Sequence, residues 1–306
     1  MAAGDVLLRD ARVVIEPFDL EATMAHQLLG KFDPTGRHRS GGFEKVHLDR
    51  HGRPLIWRFD SAQTGFSVRV EGDDAPVALD AFLAQFPLAD GGGDFRPDHP
   101  LLGRLARAYA GLRLLRVPWV FDVAAGAVLQ QRVRWQVGYG DFRRIGRRWG
   151  TPTPAGVAFP TAKQLANVSV AAIEAMGIDT KRARALAGLA RLEAARPFLS
   201  VEADPGRLRM RLLRIPGIGP WTANMIAGFA AGDPDAVPTG DLHLPSVVTS
   251  ALAGEPDGSD ERMLELLEPW RGHRFRVVRL VSWWARRGAA GAGRVPAALR
   301  PGTAPA

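Results

Sequence analysis

Residues 213–226 read Leu-Arg-Ile-Pro-Gly-Ile-Gly-Pro-Trp-Thr-Ala-Asn-Met-Ile, an order of residue types suited to holding an anion. Helical spacing of apolar residues stops at Pro216 and resumes after Pro220, which fits a first helical turn because its missing N–H is not needed there. Between the prolines, Gly217 and Gly219 can adopt backbone angles closed to other residues, so successive amide N–H groups can point outward together at a helix start. Such a corner presents donors and the positive end of a helix dipole to a phosphate, with Ile215 and Ile218 anchoring its apolar side. A dinucleotide site is excluded: no strand precedes the glycines, and the third glycine of Gly-x-Gly-x-x-Gly is Thr222. The remaining alternative is a tight turn without a ligand.

A carboxylate follows downstream in the loop Pro238-Thr239-Gly240-Asp241. Asp241 has two compatible readings. It can cap a helix that begins near His243, or it can stabilise positive charge developing on a bound molecule and orient a water. Asp233 and Asp235 compete for the second role, but Asp233-Pro234-Asp235 has the composition of an ordinary turn. His243 reads equally as a helix-start residue or a polar contact. The spacing His47-Leu48-Asp49-Arg50-His51 resembles a ligand pair, yet it falls in a predicted hairpin turn with no further partner, so no metal is assigned. The chain contains no cysteine, which excludes disulfides, a thiolate nucleophile, cysteine zinc sites and a cysteine-ligated iron–sulfur cluster.

The elements that must position these groups fall into two patterns. Before residue 92 the pattern is mixed: a strand over 12–16, a short helix over 20–29, a hairpin pairing 43–48 with 55–59, a strand over 65–70 and a helix over 78–86. Gly91, Gly92 and Gly93, followed by Pro97 and Pro100, mark a boundary. Beyond it helices are predicted over 101–110, 119–137, 141–149, 162–166, 170–176, 181–194, 208–214, 221–229, 243–252, 260–267 and 275–287, with no place for strands. The expected fold is α+β, an N-terminal antiparallel-sheet α/β domain (1–92) followed by a two-lobed all-helical body. One lobe comprises 93–118 with 240–288; the other comprises 119–239 and contains a helix-hairpin-helix at 208–229. The tail, 289–306, is rich in Ala, Gly and Pro and is expected to be disordered.

The 306 residues carry a formal charge of +8, a field that attracts anions and most often serves nucleic acid. Arginine supplies it, since lysine occurs only at Lys31, Lys45, Lys163 and Lys181; a compositional arginine bias explains the excess equally well. Candidate phosphate contacts are Arg143, Arg144, Arg147 and Arg148 and, later, Arg271, Arg274 and Arg276, although each alone reads more readily as a solvated face. Trp119, Trp135, Trp149 and Trp270 are assigned to the core. No run of ~18 apolar residues offers a membrane span, and a soluble cytoplasmic protein is expected.

The string 215–224 together with Asp241 resembles the helix-hairpin-helix and Gly/Pro-rich loop with aspartate of the helix-hairpin-helix DNA glycosylase superfamily, most of all its DNA-3-methyladenine glycosylase II group. Phe159-Pro160-Thr161, Ala175-Met176-Gly177-Ile178, Lys181-Arg182-Ala183 and Pro269-Trp270-Arg271 extend the likeness across most of 95–287. The resemblance implies a nucleoid-associated monomer that acts on double-stranded DNA containing a damaged, alkylated base. It would use no cofactor, with room for a monovalent cation at the hairpin carbonyls. Gly217, Ile218, Gly219 and Thr222 would bind the DNA phosphate.

Asp241 matches the family's catalytic aspartate. Relatives that also cut the backbone carry a lysine where this chain has Trp221, so a monofunctional enzyme is implied. The base pocket would include Trp221, Met225 and Leu242, the last two standing where tyrosines are usual. An aromatic expected on the last helix is replaced by Arg279, although Trp283 and Trp284 follow closely. Gln131 and Arg132 match the side chains that fill the gap left by a flipped base; alternatively Gln131 lies on a solvated helix face. With fewer electron-rich walls for cationic purines, the pocket would also suit bulkier adducts or deaminated bases. The rival from another class is a catalytically silent module that binds distorted duplex.

Overall fold

The computed structural model describes residues 7–86, 94–199 and 202–289. The boundary placed at Gly91, Gly92 and Gly93, and all but the first residue of the tail, lie outside the described residues.

Five strands, β1 (Leu8–Val13), β2 (Gly36–Arg39), β3 (Gly42–Leu48), β4 (Pro54–Ser61) and β5 (Phe66–Glu71), form one antiparallel sheet in the order β1-β5-β4-β3-β2. The register sets Phe43 opposite Phe59 and Phe59 opposite Val68, so alternate residues of three strands gather on one face. The expected hairpin and the strand after it form as predicted. The first strand begins and ends earlier than expected, and β2 had no sequence signal beyond its four residues. Helix α1 (Leu20–Met24) stops short of residue 29, and α2 (Ala75–Gln85) packs beside the sheet.

The remainder is largely helical: α3 (Pro100–Ala108), α4 (Val120–Leu129), α5 (Trp135–Trp149), α6 (Ala162–Ala166), α7 (Val170–Glu174), α8 (Thr180–Ala195), α9 (Pro205–Leu212), α10 (Pro220–Ala231), α11 (Leu244–Ala253), α12 (Asp260–Leu267) and α13 (Arg274–Ala289). Most starts are capped by the side chain that the sequence supplies. Asp179 and Asp204 accept from the first-turn N–H groups of α8 and α9, and Thr161 with Gln164 forms a reciprocal capping box on α6.

Two expectations need correction. The single helix expected over 119–137 is two helices, α4 and α5, separated by a turn at 130–134. Val133 and Val137 continue the apolar spacing and neither Gly nor Pro marks the break, which rests on Arg132 taking a left-handed backbone angle, φ +56°. The helical half also contains a short hairpin, β6 (Thr151–Thr153) and β7 (Gly156–Ala158). Its strands of three residues are too short to show alternation. The hairpin puts Ala155 and Ala158 against Val46, Leu48 and Ile56, covering the second face of the sheet and explaining why β3 is buried throughout.

Two apolar clusters meet at α10. The larger joins the inner sheet face (Phe43, Trp57, Phe59, Phe66) to Trp119 and Val128 of the α4 region, Leu186 of α8, Leu212 of α9 and Ala223 and Ile226 of α10. The smaller gathers Leu102 and Leu105, Val248, Met263, Leu267, Phe275 and Leu280 from α3 and α11–α13, together with Ala227 of α10. Gly228 allows the second contact to be close: a Cβ there would sit 2.5 Å from the Phe275 ring. With two faces of α10 committed to packing, its stripe Trp221, Met225, Phe229, spaced by four residues, stays half-buried.

Candidate active site

The hairpin is built as its residues dictate. Gly217 has φ +86°, and a Cβ on it would lie 2.8 Å from the Cβ of Ala185 on α8, so both angle and space require glycine. Gly219 precedes Pro220 at the start of α10, and nothing lies within 4 Å of its missing Cβ, leaving an open surface for an approaching group. Ile215 and Ile218 are buried beneath the turn, the Ile218 N–H donating to the Ile215 carbonyl at 3.0 Å. The first N–H of α10 returned to the chain is that of Ala223, to the Gly219 carbonyl at 3.0 Å; among the described residues, the N–H groups of Gly219, Trp221 and Thr222 have no acceptor. The corner therefore carries the unsatisfied donors of a helix start.

Asp241 takes the capping role read from the sequence and is also held by a side chain of the hairpin helix. Its Oδ1 accepts from the N–H groups of His243 and Leu244, at 2.8 and 2.9 Å, and so caps α11. Its Oδ2 accepts from the Trp221 indole N–H at 2.8 Å. A carboxylate offers about four acceptor sites; three are used in fixing it, and the last remains on Oδ2. Gly240, φ +82°, turns the chain into this position and donates its N–H to Asp260 Oδ2 at 2.7 Å. The competing aspartates are occupied elsewhere: Asp233 accepts from Arg209 and from the Asp235 N–H, and Asp235 from Arg274 and the Gly272 N–H.

The turn at 130–134 is tied to the hairpin. The Gln131 carboxamide donates to the Gly217 carbonyl at 2.9 Å and to the Thr222 hydroxyl at 2.8 Å, so this residue is not on a solvated helix face. Thr222 is buried and acts through that bond rather than as an exposed contact. Arg132, next to it, is exposed. Trp135 corrects the assignment of that residue to the core: it is 58% exposed, its ring 5.1 Å from Tyr139 at the start of α5. Trp119 is in the core, while Trp149 and Trp270 pack at core edges.

Sequence reasoning missed what holds this turn. Arg182 of α8 is buried and donates to the Leu129 carbonyl, the last residue of α4, at 2.7 Å and to Asp141 Oδ2 at 2.6 Å, with Asp179 as a second carboxylate partner. Asp141, fully buried amid the arginines of α5, was the available signal. Of those arginines, Arg144 pairs with Asp141. Arg271 pairs with Glu268, Arg274 with Asp235, and Arg276 is buried, donating to the Leu112 carbonyl at 2.8 Å, so the C-terminal group is committed to the fold.

The pocket residues separate. Met225 lies one turn beyond Trp221 on the half-buried stripe, but Leu242 is 86% exposed. Beyond them lie residues of which the sequence singled out only Arg279, as the replacement for an expected aromatic. Phe229 continues the stripe, and around its ring stand His26 at 4.9 Å, Phe275 at 5.0 Å and the Arg279 guanidinium at 5.2 Å. Gln27 fixes His26 there, donating to the Phe229 carbonyl at 2.9 Å while accepting from the Trp119 indole at 2.8 Å.

Among DNA repair families this arrangement has a match: residues 125–272 fit the HhH-GPD superfamily of base excision DNA repair proteins. DNA-3-methyladenine glycosylase 2 of Escherichia coli (strain K12) is 28% identical over 234 residues, 74% of this chain and 80% of that protein. Among solved structures, a 3-methyladenine DNA-glycosylase from Archaeoglobus fulgidus superposes with a TM-score of 0.70 at 19% identity, covering 92% of this chain and 98% of that one. An 8-oxoguanine glycosylase/lyase of Clostridium acetobutylicum, solved with double-stranded DNA, does so at 0.63 and 15%, covering 92% and 98%. The structural likenesses establish the α+β fold, an antiparallel sheet followed by a helical body. No described helix is long and apolar enough to cross a membrane.

Proposed function

We propose that the chain is a DNA N-glycosylase that rotates a damaged nucleotide out of duplex DNA and hydrolyses its glycosidic bond, leaving an abasic site. One observation carries this reading: a carboxylate fixed by three donors at the start of α11 is tied, through the Trp221 indole, to the first turn of α10, whose glycine corner presents free N–H groups. As the base departs, positive charge grows on the deoxyribose, and the Asp241 carboxylate beneath it favours that state over the ground state. The open site on Oδ2 can hold the attacking water and take its proton. Trp221 walls the pocket and orients Asp241.

The hairpin N–H groups of Gly219 and Thr222 grip a backbone phosphate, with Gly217 and Ile218 shaping the turn. Because Gln131 spends both its bonds on the hairpin, Arg132 is the side chain that enters the vacated stack, with Trp135 nearby to stack on a neighbouring base. The turn that carries Arg132 is thus coupled to the phosphate grip. The hairpin carbonyls, those of Ile215 and Gly217 among them, form a neutral oxygen donor set without carboxylate or imidazole, which suits a monovalent cation and no transition metal. Such an ion would stiffen the turn; no step is routed through it.

The substrate is duplex DNA with a damaged base, alkylated by analogy with the relatives' names, and the enzyme acts as a monomer on nucleoid DNA. With tryptophan at position 221 and no amine there for a Schiff base, no lyase step follows. The test is a panel of alkylated and deaminated duplexes, with abasic sites cleaved by alkali. Asp241→Asn should slow strand scission about 10²–10³-fold while duplex binding persists. Binding by the wild type without scission across the whole panel would instead identify a silent DNA-binding module. Borohydride should trap no covalent complex, and a trapped adduct would overturn the monofunctional reading.

A further inference from the structure

We propose that Arg279 makes the inner wall of the base pocket a cationic, hydrogen-bond-donating surface that selects neutral purine lesions bearing a carbonyl oxygen, such as deaminated adenine, and disfavours cationic N-methylated purines. The inference rests on the glycosylase reading of this site and replaces the alkylated class, taken there from the relatives' names, with a deaminated one.

The stripe Trp221, Met225, Phe229 leads from Asp241 along α10 in steps of about 6 Å, a direction that a purine attached to a sugar over Asp241 would follow. At its inner end the Arg279 guanidinium stands 5.2 Å from the Phe229 ring centre. That ring would otherwise offer its electron-rich face to a cationic base; here a protein cation already holds it. Arg279 Nη2 donates to the Ala22 carbonyl at 2.8 Å, and among the described residues its other nitrogens meet no acceptor and no carboxylate pairs it.

The neighbouring charges have the same sign. Burial, together with Arg286 and Arg276, pushes the Arg279 guanidinium down to about 9, which leaves it charged at neutral pH. His26, whose ring also packs against Phe229, is held well below its ordinary value by burial and then by Arg279 and Arg286, so it stands neutral. Tyr139, on α5, also senses Arg286. A buried, unpaired cation is unfavourable in an apoprotein, and what would compensate it is a ligand oxygen. The C6 carbonyl and N7 of a deaminated purine are such acceptors, whereas a 7-methylated purine brings positive charge instead.

The experiment measures single-turnover base release from two duplexes of one sequence, one with deoxyinosine and one with 7-methyldeoxyguanosine, each rate divided by the uncatalysed loss. The wild type should enhance release from the deoxyinosine duplex at least tenfold more. Arg279→Met should lower the ratio of the two enhancements, deoxyinosine over 7-methyldeoxyguanosine, at least tenfold. Arg286→Met, a substitution at an exposed residue that the fold tolerates, should move the ratio the same way about threefold. Equal enhancement of both duplexes by the wild type, or an equal fall for both in the two variants, overturns the inference and leaves the glycosylase reading intact. If the wild type releases no base from either duplex or from the wider lesion panel, the glycosylase reading fails and the inference with it.

Discussion

Behind the turn that carries Arg132, and at the inner end of α10, the chain buries two arginines to similar depth, Arg182 at 4% exposure and Arg279 at 6%. Their surroundings differ. Burial alone would lower the Arg182 guanidinium, but hydrogen bonds and charge from Asp179 and Asp141 outweigh it and hold the group above its ordinary value. Arg279 has two further arginines as its charged neighbours and is pushed down. A cation enclosed by carboxylates serves the fold, in this instance by fixing the end of α4 and so the turn that carries Arg132. One enclosed without a counter-charge is held in place by the packing of α1, α10 and α13 and is available to a ligand.

The sharpest way to break this comparison is to remove each guanidinium while keeping volume. Arg182→Met leaves Asp141 buried with its main partner gone and should cost about 3–5 kcal/mol of stability. Arg279→Met strands no carboxylate; losing one hydrogen bond and a ring contact should cost about 2 kcal/mol or less, offset by relief of like-charge repulsion. Urea unfolding of both variants measures the difference. Equal losses would mean that Arg279 is as structural as Arg182.

A smaller effect separates two glycines in the same way, one used by the fold and one left open. Gly217→Ala places a methyl in the left-handed region and against Ala185, and should destabilise by about 1–3 kcal/mol. Gly219→Ala meets nothing within 4 Å and should stay within about 0.5 kcal/mol of the parent, yet its methyl stands where the phosphate approaches. Duplex affinity should fall about five- to tenfold in Gly219→Ala with an unchanged melting temperature, a split that salt titration can attribute to phosphate contact. Unaltered affinity would remove the hairpin from the DNA interface.

What the sequence made legible was local. The Gly-x-Gly corner and its flanking prolines are decided by a few adjacent residues, and they appear where expected; the caps of α6, α8 and α9 are equally local but were not read. Asp241 was legible as a cap from its loop, and as a catalytic group only through resemblance. The turn at 130–134 was hidden because Val133 and Val137 keep a helical period through it, and Trp135 was assigned to the core because bulk and apolarity say nothing about which side of a helix start faces water. Arg279 was singled out by resemblance alone, as standing where an aromatic is usual; its burial was not readable, since Phe229 and Ala22, which enclose it, lie 50 and 257 residues away.

The smallest effect concerns His26, and its sign follows from linkage. In the unfolded chain the imidazole protonates near 6.5, but in the fold burial, Arg279 and Arg286 hold it well below that value. Below about pH 6.5 the unfolded state therefore binds the extra proton, and stability falls with acidification by at most about 1.4 kcal/mol per pH unit from this group. His47, buried among rings and held at about 3, adds a second slope of the same sign. Asp122, raised to about 6 by burial despite its Lys45 partner, opposes them between about pH 4 and 6, where the folded carboxyl holds the proton that the unfolded one has released. Between pH 5 and 6 the wild type should thus lose stability on acidification, and His26→Asn should lose less over the same interval. Arg279→Met supplies the decisive arm: with a like charge removed, the NMR titration of His26 should move up toward 6.5. An unmoved titration would mean that Arg279 and His26 do not share a wall, and the contrast between the two buried arginines would lose its functional half.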